Sequence, residues 1–365
     1  MNRRPKKQKP EKQKNGKARP TKRAPVKRRC VIDEAVGETR AAVYEGKALV
    51  ELYTLRWSDE ASPQIGDIYV GRIHDISKDL GAAFIDLGTE QQGFLRFTMA
   101  SGAPRFQQGQ YIRLSVTGER SGDKSVIVKF IEAVTGADKP HRVSRLSVQE
   151  RMSKRFKDNI SFETGSVNIL DEACEREVAI PGGGSISVER TRAMWVIDID
   201  RGAQASGFEA SLAACKVIAK TIRLRGIGGL IAIDFPNLRQ RSQRDDVLAA
   251  MEAAFEADPH QIKIAPLSRF GVIEMTRSQG GQSLDAVVNN DRGLPTMETR
   301  GLYAIRQLLS HGLKAGGAQL VLEAPSGVYD WLEADKIGWK AAVTDKIGAR
   351  FSLKRGRAIS VVEDR

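Results

Sequence analysis

The sequence predicts an α+β chain of several units, and three features predict it. Short, glycine-punctuated apolar runs crowd the first third, a strand–helix–strand unit follows in the middle, and a mixed segment of helix and strands closes the chain. The 365 residues are 41% hydrophobic and 28% charged. That balance belongs to a chain able to bury sizeable cores, and the length suits two or three domains of about 100–200 residues each.

The formal charge of +13 is not spread over the fold. Residues 1–30 hold 14 Lys and Arg against Glu11 alone, so the remaining 335 residues balance at 44 of each sign. This segment of Lys, Arg, Pro, Gln and Asn has almost nothing to bury. It is expected to be disordered and to attract polyanions such as RNA or the ribosome, a solubilising tail being the alternative. No apolar run reaches membrane length and the N-terminus lacks the apolar stretch of a secretory signal, so a cytoplasmic protein with no membrane partner is expected. Cys30, Cys174 and Cys215 are far apart without a C-x-x-C pair, and His74, His141, His260 and His311 are equally scattered. Neither a disulfide framework nor a zinc site is therefore expected.

From Val31 the pattern turns to alternating apolar runs, beginning with GETRAAVYEGKALVELYTL. Between Gly66 and Ile131, the runs GDIYVGRI, GAAFIDLG, GFLRF, YIRLSV and SVIVKF read as five strands of a small antiparallel barrel, with an OB-fold as the leading candidate. Tyr69, Phe84, Phe94 and Phe97 interleave with Arg72, Arg96 and Lys124. Such a mixture suits stacking on unpaired bases, and a core role for any one ring is the competing reading. The run GERSGDKS is no phosphate loop, because Asp123 replaces the required glycine and a strand follows where a helix is needed.

Residues 139–164 are charged and helix-prone after Pro140, and REVAIPGGGSISVER reads as a hairpin about its Pro-Gly-Gly-Gly. MWVIDID then reads as a near-continuous apolar strand, SLAACKVIAKTIRL (211–224) as a helix, and LIAIDF as a second buried strand. A crossover of this kind lays its two strands parallel with their carboxyl ends side by side, and the open ends of such strands are where ligands bind. Each strand ends on an aspartate, Asp198 or Asp234. A helix near 241–257, the strand and turn of QIKIAPLSRFGVIEMTR, a Gly-, Asn-, Asp- and Pro-rich linker at 278–299 and a small α+β unit over 300–365 complete the chain.

Two carboxylates converging without His or Cys suit a hard cation such as magnesium, with manganese as a substitute. Asp200 lies two residues beyond Asp198 and faces the same side of an extended chain, as a third oxygen donor. Arg223, Arg225, Arg239, Arg241, Arg244 and Arg269 surround the unit. Carboxylates that hold a cation, ringed by guanidinium groups that hold phosphates, suit phosphodiester hydrolysis. The alternative is that Asp198 and Asp234 are ion-paired or turn-capping residues. No G-x-S-x-G elbow is present, so acyl transfer lacks a nucleophile.

These residues resemble a known family. GDIYVGRIHDISKDLGAAFIDLGTEQQGFL is similar to the ribosomal-protein-S1-like RNA-binding insertion of the ribonuclease E/G family. REVAIPGGGSISVERTRAMWVIDIDRG, RLRGIGGLIAIDF and PLSRFGVIEMTR resemble its catalytic core, and the four motifs stand in the family's order from about Gly37 to Arg277. The resemblance implies a magnesium-dependent endoribonuclease that cuts single-stranded RNA, leaving 5′-phosphate and 3′-hydroxyl ends, in RNA processing or decay. It implies a ribonuclease-H-like subdomain over 31–64 and 140–192, interrupted by the S1-like OB barrel at 65–138, and a catalytic deoxyribonuclease-I-like subdomain over 193–277. Asp198 and Asp234 would bind the metal, with Asp200 as a third catalytic residue, and Phe84, Phe94 and Lys124 would touch RNA in the barrel. Arg223 and Arg269 are the RNA-binding arginines expected outside the barrel.

The chain also departs from the family's pattern. Asp200 stands where the family reads Asn, and Ser211 where it has the Asn opening the crossover helix. The span from the barrel to REVAIPGG is too short for the 5′-monophosphate-sensing module, and 278–299 lacks the C-P-x-C pair, so neither 5′-end dependence nor zinc-linked oligomers are expected. The rival reading is a catalytically weak or inactive RNA-binding protein, a chaperone or ribosome-associated factor on the same scaffold. A general DNA nuclease is a third.

Overall fold

The computed structural model describes residues 28–97, 106–119, 125–157, 159–163, 170, 173–203, 206–278, 281–290 and 292–364. The basic segment before Arg28 lies outside the described residues. Strands β1 (Arg28–Ala35), β2 (Glu38–Glu45) and β3 (Ala48–Arg56) form an antiparallel meander, followed by a 3-10 turn at Trp57–Ala61.

The barrel comes next, as β4 (Ile68–Ser77), β5 (Ala82–Asp86), β6 (Gln92–Arg96), β7 (Tyr111–Glu119) and β8 (Ser125–Val134). The strand order is β5-β6-β8-β7-β4, with β5 also pairing to β4, so the sheet closes on itself in OB fashion. Ile85, Leu87, Leu95, Ile112, Leu114, Val126 and Val128 fill the interior. Tyr69 is 1% exposed among them, half-buried Phe97 packs edge-on against Phe106, and Phe94 is 7% exposed, so of the four candidate stacking rings two are buried and Phe97 and Phe84 are half-buried.

The helix expected over 139–164 is shorter than its charge pattern suggests. His141–Ser144 is β9, an added strand pairing with β4, and only Val148–Phe156 is helical (α1). Ser147 and Glu150 close a capping box at its start, and before it Arg142 pairs with Glu60 at 2.8 Å and Arg145 with Asp67 at 2.6 Å. Strand β10 (Ile160–Phe162) lies parallel beside β1 and completes a four-stranded sheet.

The central sheet has six strands in the order β11-β12-β13-β14-β16-β15, from β11 (Glu177–Ala179), β12 (Ser185–Arg190), β13 (Trp195–Asp200), β14 (Gly229–Asp234), β15 (Ile262–Ile264) and β16 (Val272–Arg277). The hairpin β11–β12 hydrogen-bonds to β13, so residues 177–190 extend this sheet instead of the one before it. Helices α2 (Gly207–Leu224) and α3 (Arg241–Phe255) cover one face through Ala214, Cys215, Ile218, Ile222, Val247 and Met251. Helix α2 is sandwiched, its far side packing on β3.

The segment 278–299 is more than a linker. Leu284–Val288 forms a single helical turn, α4, whose Leu284 and Val288 are buried against the first sheet. The C-terminal unit holds α5 (Met297–Lys314), β17 (Gln319–Ala324), α6 (Ser326–Ala334), α7 (Trp339–Ile347), β18 (Phe351–Arg355) and β19 (Ser360–Asp364) around buried Trp339. Among the described residues no helix is long and apolar enough to cross a membrane.

Candidate active site

Strands β13 and β14 alternate more strictly than their composition suggests. Trp195, Ile197, Ile199, Ile231 and Ile233 are buried under α2 and α3, while Asp198, Asp200 and Asp234 are exposed and Val196 and Ala232 half-buried. The sheet therefore has one covered and one open face, where the sequence reads as buried strands. The period of two places every carboxylate of the motif on the open side.

Register then decides which carboxylates meet. β13 and β14 run parallel with Asp198 directly opposite Asp234. Neighbouring strands lie about 4.8 Å apart, so these two side chains stand next to each other on the same face at the carboxyl ends of their strands. Ser187 and Val272 flank them on β12 and β16. Like charges so placed repel, and the arrangement has no cationic partner of its own in the register row.

Asp200 lies on the same face but is engaged in a turn: its Oδ1 accepts from the Gly202 N–H at 2.9 Å. That turn is pressed against the Pro-Gly-Gly-Gly hairpin, where a Cβ on Gly184 would lie 2.2 Å from the Asp200 carbonyl oxygen, so only glycine fits. Among the described residues no group of three His, Cys, Asp or Glu gathers into a metal cluster. The geometry offers a carboxylate pair plus a turn-forming Asp200, in place of the three donors expected from spacing.

The rim of the pair is built by two chain segments. On one side, helix α2 begins at the N-cap Ser206, whose Oγ accepts from the Glu209 N–H at 3.1 Å. Gly207 follows so close to Pro236 that a Cβ there would be 2.8 Å from the proline Cβ, which brings the positive end of the helix dipole beside the strand exits. Ser211, expected to open this helix, is instead fully buried within it and donates to the Gly207 carbonyl at 2.6 Å. Sequence spacing could have found Ser206, since it precedes Glu209 by three residues. On the other side, the turn 268–271 brings Gly271 next to Asp234, an added Cβ there lying 3.9 Å from Asp234 Oδ1. Arg269 is exposed on this turn with its guanidinium 4.7 Å above the Phe270 ring. Arg239 and Arg241 are exposed beyond the exit of β14.

Arg223 and Arg225 are not part of this rim. Arg223 is 9% exposed and bonds Glu51 at 2.7 Å and Glu45 at 3.0 Å, joining α2 to the first sheet. Arg225 is 1% exposed and donates to the Glu175 carbonyl. They close the carboxyl end of α2, whereas the aspartates sit near its amino end, so a helix length of 18 residues separates them. A cavity of about 300 Å³ lies there, lined by Glu51, Arg155, Arg223, His260 and Arg277. Three of its cations are committed to carboxylates, Arg155 and Arg223 to Glu51 and Arg277 to Asp258 at 3.0 Å. Burial would raise the Glu51 carboxyl, but hydrogen bonds from Arg155, Arg223 and Tyr53 outweigh it and hold the pKa at about 2.

In the barrel, Phe84 and Phe94 are cross-strand partners with their rings edge to face at 5.6 Å. They lie outside the barrel's interior cluster, in one row with Ile127, which is 39% exposed, while Phe84 is half-buried and Phe94 is buried. This is the face of the second and third barrel strands that OB-folds use for oligonucleotides. Lys124 lies outside the described residues.

Residues 121–280 match the Ribonuclease E/G family model. Ribonuclease G of Escherichia coli (strain K12) is 33% identical over 141 residues, 37% of this chain and 28% of that protein. Ribonuclease G of Haemophilus influenzae is 28% identical over 205 residues, 52% of this chain and 42% of that protein. Ribonuclease E of Escherichia coli (strain K12) is 33% identical over 145 residues, 35% of this chain and 14% of that protein. The chain spans less than half the length of these curated relatives.

Proposed function

We propose that the chain, whose residues 121–280 match the Ribonuclease E/G family model, is an endoribonuclease of single-stranded RNA, acting in RNA processing or decay with magnesium or manganese and without zinc. The observation that carries this reading is the Asp198–Asp234 register pair on an open sheet face. Two adjacent carboxylates with no nitrogen or sulfur donor fit a hydrated magnesium ion, which keeps several waters and takes one or two protein carboxylates. Held by Asp198 and Asp234, such an ion would supply an acidified water for attack on phosphorus and would offset charge on the phosphoryl oxygens, in keeping with products bearing 5′-phosphate and 3′-hydroxyl ends.

The chain's own residues do the positioning. Asp198 and Asp234 hold the ion, and Asp200, fixed by its bond to Gly202, keeps a second carboxylate oxygen facing the same side to orient the attacking water. Arg269, with Arg239 and Arg241 beyond Asp234, binds the phosphates of the strand, and the amino end of α2 adds a positive dipole. Phe84 and Phe94, with Lys124, hold unpaired bases on the barrel, and the basic N-terminal segment adds a salt-sensitive attraction to RNA or to the ribosome. In this reading residues 31–64 and 140–192 up to the β11–β12 hairpin are ribonuclease-H-like, that hairpin joins 193–277 in the deoxyribonuclease-I-like sheet, and the protein works in the cytoplasm.

The test uses purified full chain, magnesium and an unstructured RNA oligonucleotide, with the same sequence as DNA alongside. Cleavage of RNA that Asp198→Asn or Asp234→Asn lowers by 100-fold or more, with binding intact, is the expected outcome. Binding without metal-dependent cleavage would select the RNA-binding protein instead, and equal turnover on the DNA strand a general nuclease.

A further inference from the structure

The turn that carries Arg269 displays a residue with no structural reason to be there. Phe270 is 75% exposed, more than any other large apolar side chain described. Its backbone is held firmly. The Ser268 hydroxyl accepts from the Phe270 N–H at 3.3 Å and from the Val272 N–H at 3.2 Å, and the Gly271 N–H donates to the Ser268 carbonyl at 3.1 Å. The Gly271 carbonyl in turn accepts from the Phe235 N–H at 3.0 Å, tying the turn to the exit of β14 one residue after Asp234. A turn closed this way imposes no apolar side chain at its tip, and holding a phenyl ring in water forgoes the stabilisation its burial would bring. Arg269 lies 4.7 Å over the ring and turns it into a flat, cation-backed platform.

We infer that Phe270 is a binding residue for RNA, stacking under the base of a nucleotide next to the scissile phosphate. The inference rests on the proposed reading that RNA lies over the Asp198–Asp234 face. Gly271 lies beside Asp234, a Cβ built on it standing 3.9 Å from Asp234 Oδ1, and Phe270 is the next residue along, about 3.8 Å away in Cα position. With the phosphate over the carboxylate pair, a base on the adjoining nucleotide reaches that ring, while Arg269 serves both the ring and a phosphate. Any base has a π-face, so this contact binds without choosing sequence.

The experiment measures the affinity of the full chain for a ten-nucleotide unstructured RNA by fluorescence anisotropy in chelator, so that no cutting intervenes. An abasic site is walked through the oligonucleotide. Phe270→Ala should weaken binding roughly tenfold or more, Phe270→Trp should retain it, and one abasic position should erase the difference between wild type and Phe270→Ala. Unchanged thermal unfolding of both variants accompanies this result, since the ring supports no core. Equal binding by wild type and Phe270→Ala, or a loss that persists at every abasic position, overturns the inference even if the chain cleaves RNA normally. An intact Phe270 effect in a chain that never cleaves overturns the nuclease reading and leaves this one standing.

Discussion

Asp198 and Asp234 form a repulsive pair in the metal-free protein, because parallel register sets them side by side. Removing one charge therefore has two opposite consequences. Asp198→Asn should raise the melting temperature slightly without divalent ion and abolish the increase that millimolar magnesium or manganese gives the wild type. Differential scanning fluorimetry across a metal titration reads both, and an unchanged metal response in the variant would remove the pair from the metal site. The positions of these aspartates at two strand ends were legible from the motif, and their pairing follows from the crossover. What spacing could not supply was the state of their neighbours. Asp200 is two residues from Asp198 and faces the same way, yet its Oδ1 is drawn into the Gly202 turn by a backbone contact invisible in composition. Phe270 escaped notice because an apolar residue is read as core unless its burial is known.

At the level of elements, helix α2 connects the candidate site to the first sheet. Its amino end faces the aspartates and its carboxyl end delivers Arg223 to Glu51, which Arg155 of α1 also grips at 2.6 Å. Three elements thus meet on one carboxylate whose pKa falls from 4.5 to about 2 on folding. A depressed pKa contributes stability that is complete above the unfolded value and lost as the pH falls through the folded one. Urea unfolding should therefore show wild type losing stability between about pH 5 and pH 2, and Glu51→Gln should be less stable at pH 7 with a flatter profile over that window. Arg223 was misplaced as an RNA ligand for a simple reason. A basic residue near a phosphate-binding motif looks available, and only the tertiary partner, 172 residues away in sequence, shows that it is committed.

Across the whole molecule, a second buried network fastens the C-terminal unit. Arg306 of α5 bonds Asp33 at 2.7 Å and Glu38 at 3.0 Å, and Arg56 reaches back to the Val287 carbonyl at 2.8 Å and Thr299 at 2.7 Å. Arg306→Ala strips two buried carboxylates of that guanidinium and should cost about 3–5 kcal/mol. Lys340→Ala, which breaks an exposed pair with Glu333, should cost about 1 kcal/mol or less. Chemical denaturation of both variants measures the contrast, and equal losses would show that α5 docks by its apolar face alone. The broad architecture was readable because barrel strands, crossover helix and C-terminal unit each repeat a simple period. The joints between units were not readable, since they are made by single arginines meeting acids hundreds of positions away. The open face of the central sheet has its own consequence for the substrate. Under the proposed reading, a face bordered by the start of α2 and the 268–271 turn receives a polymer broadside, so no terminus has to be threaded to reach the aspartates, and a covalently closed RNA circle is as admissible there as a linear strand.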